Sequence, residues 1–204
     1  MLGDFLALNF FEERRTLYRD VLRVPSGCYA QCDAKGMRIE TYWTPKRRSL
    51  GLKRHEDYVE AAREQLDRAV RPMLRSERPV AVQCSSGLDS CAVAATAARM
   101  LAPTRLAAIV RVPPAALRMP DALLRCMDEG PGVRALAAMH PNMDVTEVDD
   151  GNLHAVDHNT ALRFAINGLP VFNPLNHGWL SGTIDQAVRQ GHRVMLEEAG
   201  AISP

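Results

Sequence analysis

The sequence predicts a doubly wound α/β domain, with a parallel sheet and flanking helices, over residues 57–204. Two short apolar segments, Val80–Cys84 and Leu106–Val112, are typical of strands that are buried on both faces of a parallel sheet. The alanine-rich segment Leu88–Met100 lies between them and predicts a helix. Strand, helix and strand in this order form a βαβ unit, the building block of this fold class.

The remaining elements follow from apolar periodicity. Asp57–Arg75 has apolar residues at helical spacing, with Tyr58, Ala62, Leu66, Ala69, Val70 and Met73 on one face. Further along, helices are expected at Val133–Met139 and Trp179–Arg189. Strands are expected at Asp144–Val148 and Arg193–Leu196. Residues 149–178 are rich in Asn, His, Gly and Pro, and are interpreted as short helices and loops.

Residues 1–45 precede this domain and are interpreted as the remnant of another. Two strands, Cys28–Cys32 and Met37–Trp43, flank the hairpin turn Asp33–Gly36. Residues 46–56 form a basic linker. Cys28 and Cys32 lack a second Cys or His pair at zinc spacing, so we expect no metal there.

Composition excludes several classes of function. The net charge of +1 gives no electrostatic basis for binding nucleic acid or an anionic membrane. No apolar run approaches the roughly 20 residues that span a bilayer, and no secretory signal is visible. The five cysteines are odd in number and scattered, which favours reduced thiols and a cytoplasmic location.

The polar turn after the first predicted strand carries the strongest chemical pattern. Ser85, Ser86, Gly87 and Ser90 are small, so backbone N–H groups can close on an anion at the start of a helix. Asp89 adds a carboxylate, which suits a Mg²⁺ ion held between it and a phosphate. No Walker A sequence occurs. An ordinary polar strand–helix turn is the alternative interpretation.

Ser85–Ser90 resembles the S-G-G-x-D-S pyrophosphate loop of the asparagine synthetase family, the N-type ATP pyrophosphatases with an adenine nucleotide alpha hydrolase-like fold. Members activate a carboxylate as its acyl-adenylate, release pyrophosphate and let an amine attack. Ser86 departs from the pattern, since glycine is usual there; at a positive φ, serine costs roughly 1 kcal/mol. Thr16–Gly27 and Tyr42–Pro45 resemble the end of the glutaminase-type domain that precedes the synthetase domain.

The resemblance implies ATP and Mg²⁺ as cofactors and assigns residues to them. Asp89 is the implied catalytic residue and metal ligand, and the nucleotide would contact Ser85, Ser86, Gly87, Leu88, Asp89, Ser90, Ile109 and Val110. For Ile109 and Val110, plain strand core is an equal alternative. Asp128 and Glu129 match a family Asp-Glu pair, although an acidic preference in a first helical turn also explains them. In the family the region around Phe172–Asn176 approaches the substrate; the alternative is a proline-containing loop followed by a helix start.

Both ends depart from the family. Residue 2 is Leu and no cysteine precedes Cys28, so we expect this polypeptide not to hydrolyse glutamine. At the other end, Val194–Pro204 differs from the family's V-L-L-S-G-x-G-G-D-E, and Ile202 stands near the place of a metal-binding acid. Glu197 or Glu198 could replace that acid. We therefore expect an incomplete C-terminus, and a partner chain could supply the missing elements.

Three functions remain open. The first is an ATP-dependent amide ligase that adenylates a small-molecule carboxylate such as aspartate, as in asparagine biosynthesis. The second is a lasso peptide cyclase that closes a macrolactam in a precursor peptide. The third is a degenerate nucleotide-binding fragment without turnover. The charge balance argues against a thiolation enzyme acting on nucleic acid.

Overall fold

A computed structural model describes residues 14–16, 18–118, 120–149, 164–166 and 174–197, with no account of the side chains of residues 174–180. Contacts divide the chain into two compact units. The smaller contains residues 1–51 and 159–172, and the larger contains residues 52–158 and 173–204.

The smaller unit contains the predicted hairpin. Strands β1 (Cys28–Asp33) and β2 (Gly36–Thr41) pair antiparallel. The Asp33 carboxylate accepts a hydrogen bond from the Lys35 backbone N–H at 2.8 Å, which stabilises the turn. Gly27 precedes β1 at a φ of +68°, and a Cβ there would overlap the Trp43 carbonyl oxygen. Glycine is therefore required where the two ends of the hairpin meet.

The larger unit is the predicted α/β domain. Its elements, in chain order, are α1 (His55–Met73), β3 (Val80–Gln83), α2 (Leu88–Leu101), β4 (Leu106–Val112), α3 (Asp121–Met127), α4 (Gly130–Met139), β5 (Met143–Asp149), α5 (Pro174–Arg189) and β6 (Val194–Leu196). The four strands pair parallel in the order β5-β4-β3-β6. The predicted fold class is confirmed. None of the described helices is long and apolar enough to cross a membrane.

Apolar side chains fill both faces of the sheet. On one face Val82, Leu106 and Val110 pack with residues of α1, α2 and α4. On the other face Ile109 packs with Ala187 of α5. Small alanines along α2 let that helix lie close to the strands, because they add little side-chain volume between helix and sheet. Burial on both faces explains why β3 and β4 are almost entirely apolar.

Helix α1 buries less than its sequence predicts. Of the expected inward face, Val70 is buried and Leu66 packs against the core, whereas Tyr58 and Met73 remain exposed. The helix contacts α2, and Asp67 pairs with Arg99 of that helix. A helix that packs against one neighbouring helix buries a narrower stripe than a helix lying across a sheet.

Asp128 and Glu129 directly precede a helix, as the family pair implies, but neither lies in its first turn. Helix α3 ends at Met127, and α4 begins at Gly130 with a proline in its first turn. Asp128 and Glu129 therefore form the junction between two helices rather than the first turn of one. The Asp128 carboxylate accepts a hydrogen bond from the Gly130 backbone N–H at 3.0 Å. Helix α3 was not predicted, since seven residues show too little periodicity.

Candidate functional site

The Ser85–Ser90 loop lies at the point where the strand order of the sheet reverses. From β3 the chain winds through β4 to β5, and then returns to place β6 on the other side of β3. In doubly wound sheets, ligands bind outside the carboxyl ends of the strands at this switch point. The loop follows the carboxyl end of β3 and leads into α2 at Leu88.

Ser90 organises the loop from within. Its side chain is 4% exposed. The hydroxyl accepts a hydrogen bond from the Ser85 backbone N–H at 3.1 Å and lies 2.7 Å from the Ser85 hydroxyl. It is also within donating distance of the Ser85 and Gly87 carbonyl oxygens, at 3.3 and 3.2 Å. Ser90 therefore fixes the loop's shape, and its predicted contact with phosphate stays a prediction.

Gly87 and Ser85 close the turn at the start of α2. The Gly87 backbone N–H donates to the Ser85 hydroxyl at 3.0 Å. A Cβ at position 87 would lie 2.9 Å from that same hydroxyl, so any other residue here would displace the Ser85 hydroxyl from this hydrogen bond. Its φ is −68°, which any residue can adopt. Without a capping side chain at Gly87, the first-turn N–H groups of α2 remain available to water or an anion.

Two thiols contact the base of the loop. Cys84 and Cys91 approach the Ser85 carbonyl oxygen, with Sγ–O distances of 3.6 and 3.2 Å. Burial, with contributions from Cys91 and Glu129, raises the pKa of the Cys84 thiol to about 12. At neutral pH that thiol stays protonated and unreactive, which agrees with a packing role.

Asp89 and Leu88 lie on the open side of the loop. Leu88 is 85% exposed, and Asp89 is also exposed. An exposed apolar side chain of this size at the mouth of a site is available to contact a ligand. The Asp89 carboxylate follows the N-cap Gly87 by two residues, in the first turn of α2. Both residues are therefore accessible to a ligand that approaches the start of the helix.

Ser86 has an ordinary backbone conformation, although glycine is usual at its position in the family loop. Among the described non-glycine residues only Asp20 has a positive φ, so serine at position 86 carries no backbone strain. Its hydroxyl donates to the Glu129 carbonyl oxygen at 2.9 Å, across 43 positions of sequence. The Ser86 side chain is thus engaged by the junction before α4. Its backbone N–H, rather than its hydroxyl, is the group suited to a phosphate.

A cavity of about 210 Å³ adjoins this junction. Its lining consists of Arg111, Val112, Pro113, Pro114, Cys126, Met127 and Glu129. Burial raises the pKa of the Glu129 carboxyl, and the nearby Arg111 guanidinium partly opposes that rise. The cavity therefore combines an apolar wall with one acidic and one basic side chain, at the carboxyl end of β4.

A second cavity of about 520 Å³ continues on the β5 side of Val112, Pro113 and Pro114. Its charged lining consists of Arg118, Arg125, Asp128, Arg134 and Glu147. Arg134 of α4 forms an ion pair with Glu147 of β5. The two cavities lie on either side of the segment that leaves β4, beyond the carboxyl end of that strand.

Ile109 and Val110 lie in the core. Both are fully buried, on opposite faces of β4. Neither side chain offers surface to an adenine ring in this conformation, so strand core is their observed role. Contact with adenine stays a prediction for these two residues.

The residues suit Mg²⁺ with a nucleotide rather than Mg²⁺ alone. Mg²⁺ is usually held by one or two carboxylates together with phosphate oxygens and waters. Asp89 supplies one carboxylate. Glu197 follows β6, whose Leu196 pairs with Val82 of β3, and register therefore puts Glu197 at the same end of the sheet. No cluster of three metal-ligating side chains occurs among the described residues.

Glu198, Ile202 and Phe172 lie outside the described residues, and the side chains of the neighbouring Pro174–Asn176 segment are not described.

Sequence reasoning missed Gly132. A Cβ on Gly132 would lie 2.5 Å from the Ser86 hydroxyl oxygen, so a side chain at position 132 would require Ser86 to move. Gly132 directly precedes the predicted helix Val133–Met139, and nothing in that pattern indicates a partner 46 positions away. The lining of both cavities was missed for the same reason.

A parallel, doubly wound α/β domain binds its ligands at the switch point of the sheet, where this chain has its serine-rich loop. The family model for asparagine synthase matches residues 61–201, more than half of the chain. The chain therefore belongs to the asparagine synthase family, and the predicted membership is confirmed. The match is to the family as a whole and supports an ATP-dependent amide ligase type of function. No curated protein matches the sequence.

Proposed function

We propose that this chain uses ATP to activate a carboxylate as its acyl-adenylate, with release of pyrophosphate, so that an amine can form an amide. The observation that supports this most directly is the Ser85–Ser90 loop after β3, at the switch point of the sheet. Membership of the asparagine synthase family supplies the reaction class.

Under this proposal, groups of the loop itself would bind the phosphates. The first-turn N–H groups of α2 and the backbone N–H of Ser86 would hold the phosphate oxygens that become pyrophosphate. Ser90, through its hydrogen bonds to Ser85, keeps these groups in place before the nucleotide arrives. Catalysis would then consist of alignment and charge stabilisation, with no covalent intermediate on the protein.

Asp89 would act as the metal-binding carboxylate of the site. Its exposed position in the first turn of α2 suits an ion that also contacts the phosphates. Glu197, at the end of β6, is our candidate for a second carboxylate. Mg²⁺, when bound, would neutralise charge on the phosphates as pyrophosphate leaves. Asp89 and Glu197 would hold the ion in place for this neutralisation.

The first test is thermal unfolding with ATP, with and without Mg²⁺. A ligand at about 100 times its Kd adds about 2.7 kcal/mol, or roughly 5–10 °C in a domain of this size. We expect that rise in the wild type with Mg²⁺, and its loss in Asp89→Ala. Glu64→Ala, an exposed carboxylate of α1, is the matched control and should keep it. An unchanged shift in Asp89→Ala would overturn the assignment of Asp89.

Pyrophosphate release then identifies the acyl substrate. Release with aspartate and ammonia supports asparagine formation, as the family name suggests. Release only with a peptide carboxylate would assign the chain to macrolactam formation instead. A Mg²⁺-dependent shift without release from either substrate would contradict the ligase proposal and favour a nucleotide-binding domain without turnover.

A further inference from the structure

One contact ties the phosphate loop to a distant part of the chain. The Ser86 hydroxyl donates to the Glu129 carbonyl oxygen at 2.9 Å. The same carbonyl oxygen accepts from the Val133 backbone N–H, at 3.3 Å, in the first turn of α4. Ser86 therefore bonds to the group that begins the helix. A movement of the loop and a movement of this helix end cannot be independent while the bond persists.

Steric fit points to the same pair of elements independently. A Cβ on Gly132 would lie 2.5 Å from the Ser86 hydroxyl oxygen and 3.0 Å from the Ser86 Cβ. A Cβ contact of 2.5 Å essentially never occurs and one of 3.0 Å is unusually tight, so Ser86 would have to move if residue 132 carried a side chain. Glycine is a poor helix former, yet Gly132 lies within α4. The space that the Ser86 side chain occupies explains why a glycine is present at this position of the helix.

The bonded carbonyl belongs to a residue whose side chain lines a cavity. The Glu129 carboxyl lies in the wall of the 210 Å³ cavity, with Arg111 of β4 also in that wall. Fixing the Glu129 backbone limits the directions in which its carboxyl can point. Ser86 thus connects the phosphate loop to the orientation of a charged group beside it.

We propose that Ser86 is a positioning residue, with Gly132 as its steric partner, and that together they hold Glu129 against the phosphate loop so that the loop and the 210 Å³ cavity work as one site. The functional half rests on the proposed function, since it requires the loop to bind the phosphates of ATP. The structural half does not.

A double-mutant cycle measured by chemical denaturation tests the structural half. Gly132→Ala should destabilise the protein, and adding Ser86→Gly should restore most of that loss, because the added methyl group then has room. Gly130→Ala is the matched control, because the three atoms nearest to a Cβ there belong to Arg134, Asp128 and Glu147. Ser86→Gly should not rescue it. Additive effects of Ser86→Gly and Gly132→Ala would overturn the pairing.

The kinetics of Ser86→Ala test the functional half. This variant removes the bond to Glu129 but leaves the loop backbone and its N–H groups. We expect KM for ATP to change by less than about twofold, and kcat for pyrophosphate release to fall by about fivefold or more, the effect of one lost hydrogen bond. A merely structural role would leave kcat unchanged well below the unfolding temperature.

The two proposals fail in different ways. Turnover by the wild type with an unchanged kcat in Ser86→Ala would overturn the positioning role alone. No nucleotide binding or turnover by the wild type would overturn the proposed function, and the positioning role with it. In that case coupling in the Ser86–Gly132 cycle would still establish the steric pair.

Discussion

The Ser85–Ser90 loop and the Glu129 junction are neighbours built in opposite ways. Ser85, Gly87 and Ser90 shape the loop through hydrogen bonds among themselves, no more than five positions apart. The junction is shaped by contacts between distant elements. Arg111 of β4 and Ser86 of the loop both act on Glu129.

The conformation of the loop is therefore determined by contacts between residues close in sequence, whereas that of the junction is determined by tertiary contacts. A loop held by its own side chains keeps its form wherever a strand and a helix flank it, so its motif is recognisable in a sequence. The junction exists only when the sheet, α3 and α4 are assembled. Substitutions in the loop should therefore have strong, local effects. Substitutions at the junction should have weaker effects that depend on the surrounding elements.

Cysteine reactivity gives the largest expected contrast between the two regions. Cys84, at the base of the loop, is 2% exposed with a pKa raised to about 12, whereas Cys126 of the cavity wall is exposed. A thiol with that pKa has about a thousandfold less thiolate at neutral pH than an ordinary cysteine. We expect iodoacetamide to label Cys126 at least about 100 times faster, as followed by peptide mass spectrometry. Equal rates in the native protein would contradict the burial of the loop's base; in guanidinium the rates should converge.

Removal of the Ser90 hydroxyl should be the most damaging single change in the loop. Ser90→Ala leaves the Ser85 N–H without its acceptor in a nearly buried position, at a cost of about 2 kcal/mol in the free energy of unfolding. It should also abolish the MgATP-dependent thermal shift. Ser76→Ala, in the turn between α1 and β3, removes one exposed serine hydroxyl and serves as control. A change below about 0.5 kcal/mol in Ser90→Ala would show that the loop does not depend on this residue.

Glu129→Gln should have a smaller effect at the junction, and one that depends on pH. Burial raises the pKa of the Glu129 carboxyl in the folded protein above its ordinary value of 4.5. The protonated carboxyl therefore favours folding below pH 4.5. That contribution to stability is lost as the pH rises through the raised, folded-state pKa. Glutamine cannot ionise. Relative to wild type, the variant should therefore gain stability as pH rises from about 4.5 towards neutrality, measured by urea denaturation. A constant difference across this range would contradict the burial of the carboxyl. Glu64→Gln, on exposed α1, should show no such trend.

The Arg134–Glu147 ion pair should contribute least. Both side chains are substantially exposed, and exposed pairs are worth about 0–1 kcal/mol. Arg134→Met should lower the free energy of unfolding by less than about 1 kcal/mol, and by less still in 1 M salt. A loss that persists at high salt would mean that packing of the Arg134 stem, rather than charge, holds α4 against β5.

The sequence predicts the sheet and the loop because both have local patterns. The apolar runs of β3 and β4, the alanines of α2 and the serines of the loop each lie within one segment. The exposed part of α1 and the separate helix α3 were not predicted, since burial of one face depends on which neighbour is present. The steric fit between Ser86 and Gly132 could not be predicted from the sequence either. Ser86 was interpreted as a possible strain at a glycine position, whereas its backbone is unstrained and its side chain occupies the space left by a second glycine.

The most direct test is calorimetric titration of ATP, in excess Mg²⁺, into the wild type and Asp89→Ala. We expect saturable binding by the wild type that weakens at least about tenfold when Mg²⁺ is removed, and no measurable binding by Asp89→Ala at the same concentrations. Equal affinity of the two proteins, or affinity of the wild type that does not depend on Mg²⁺, would contradict the account of the Ser85–Ser90 loop as a magnesium–nucleotide site.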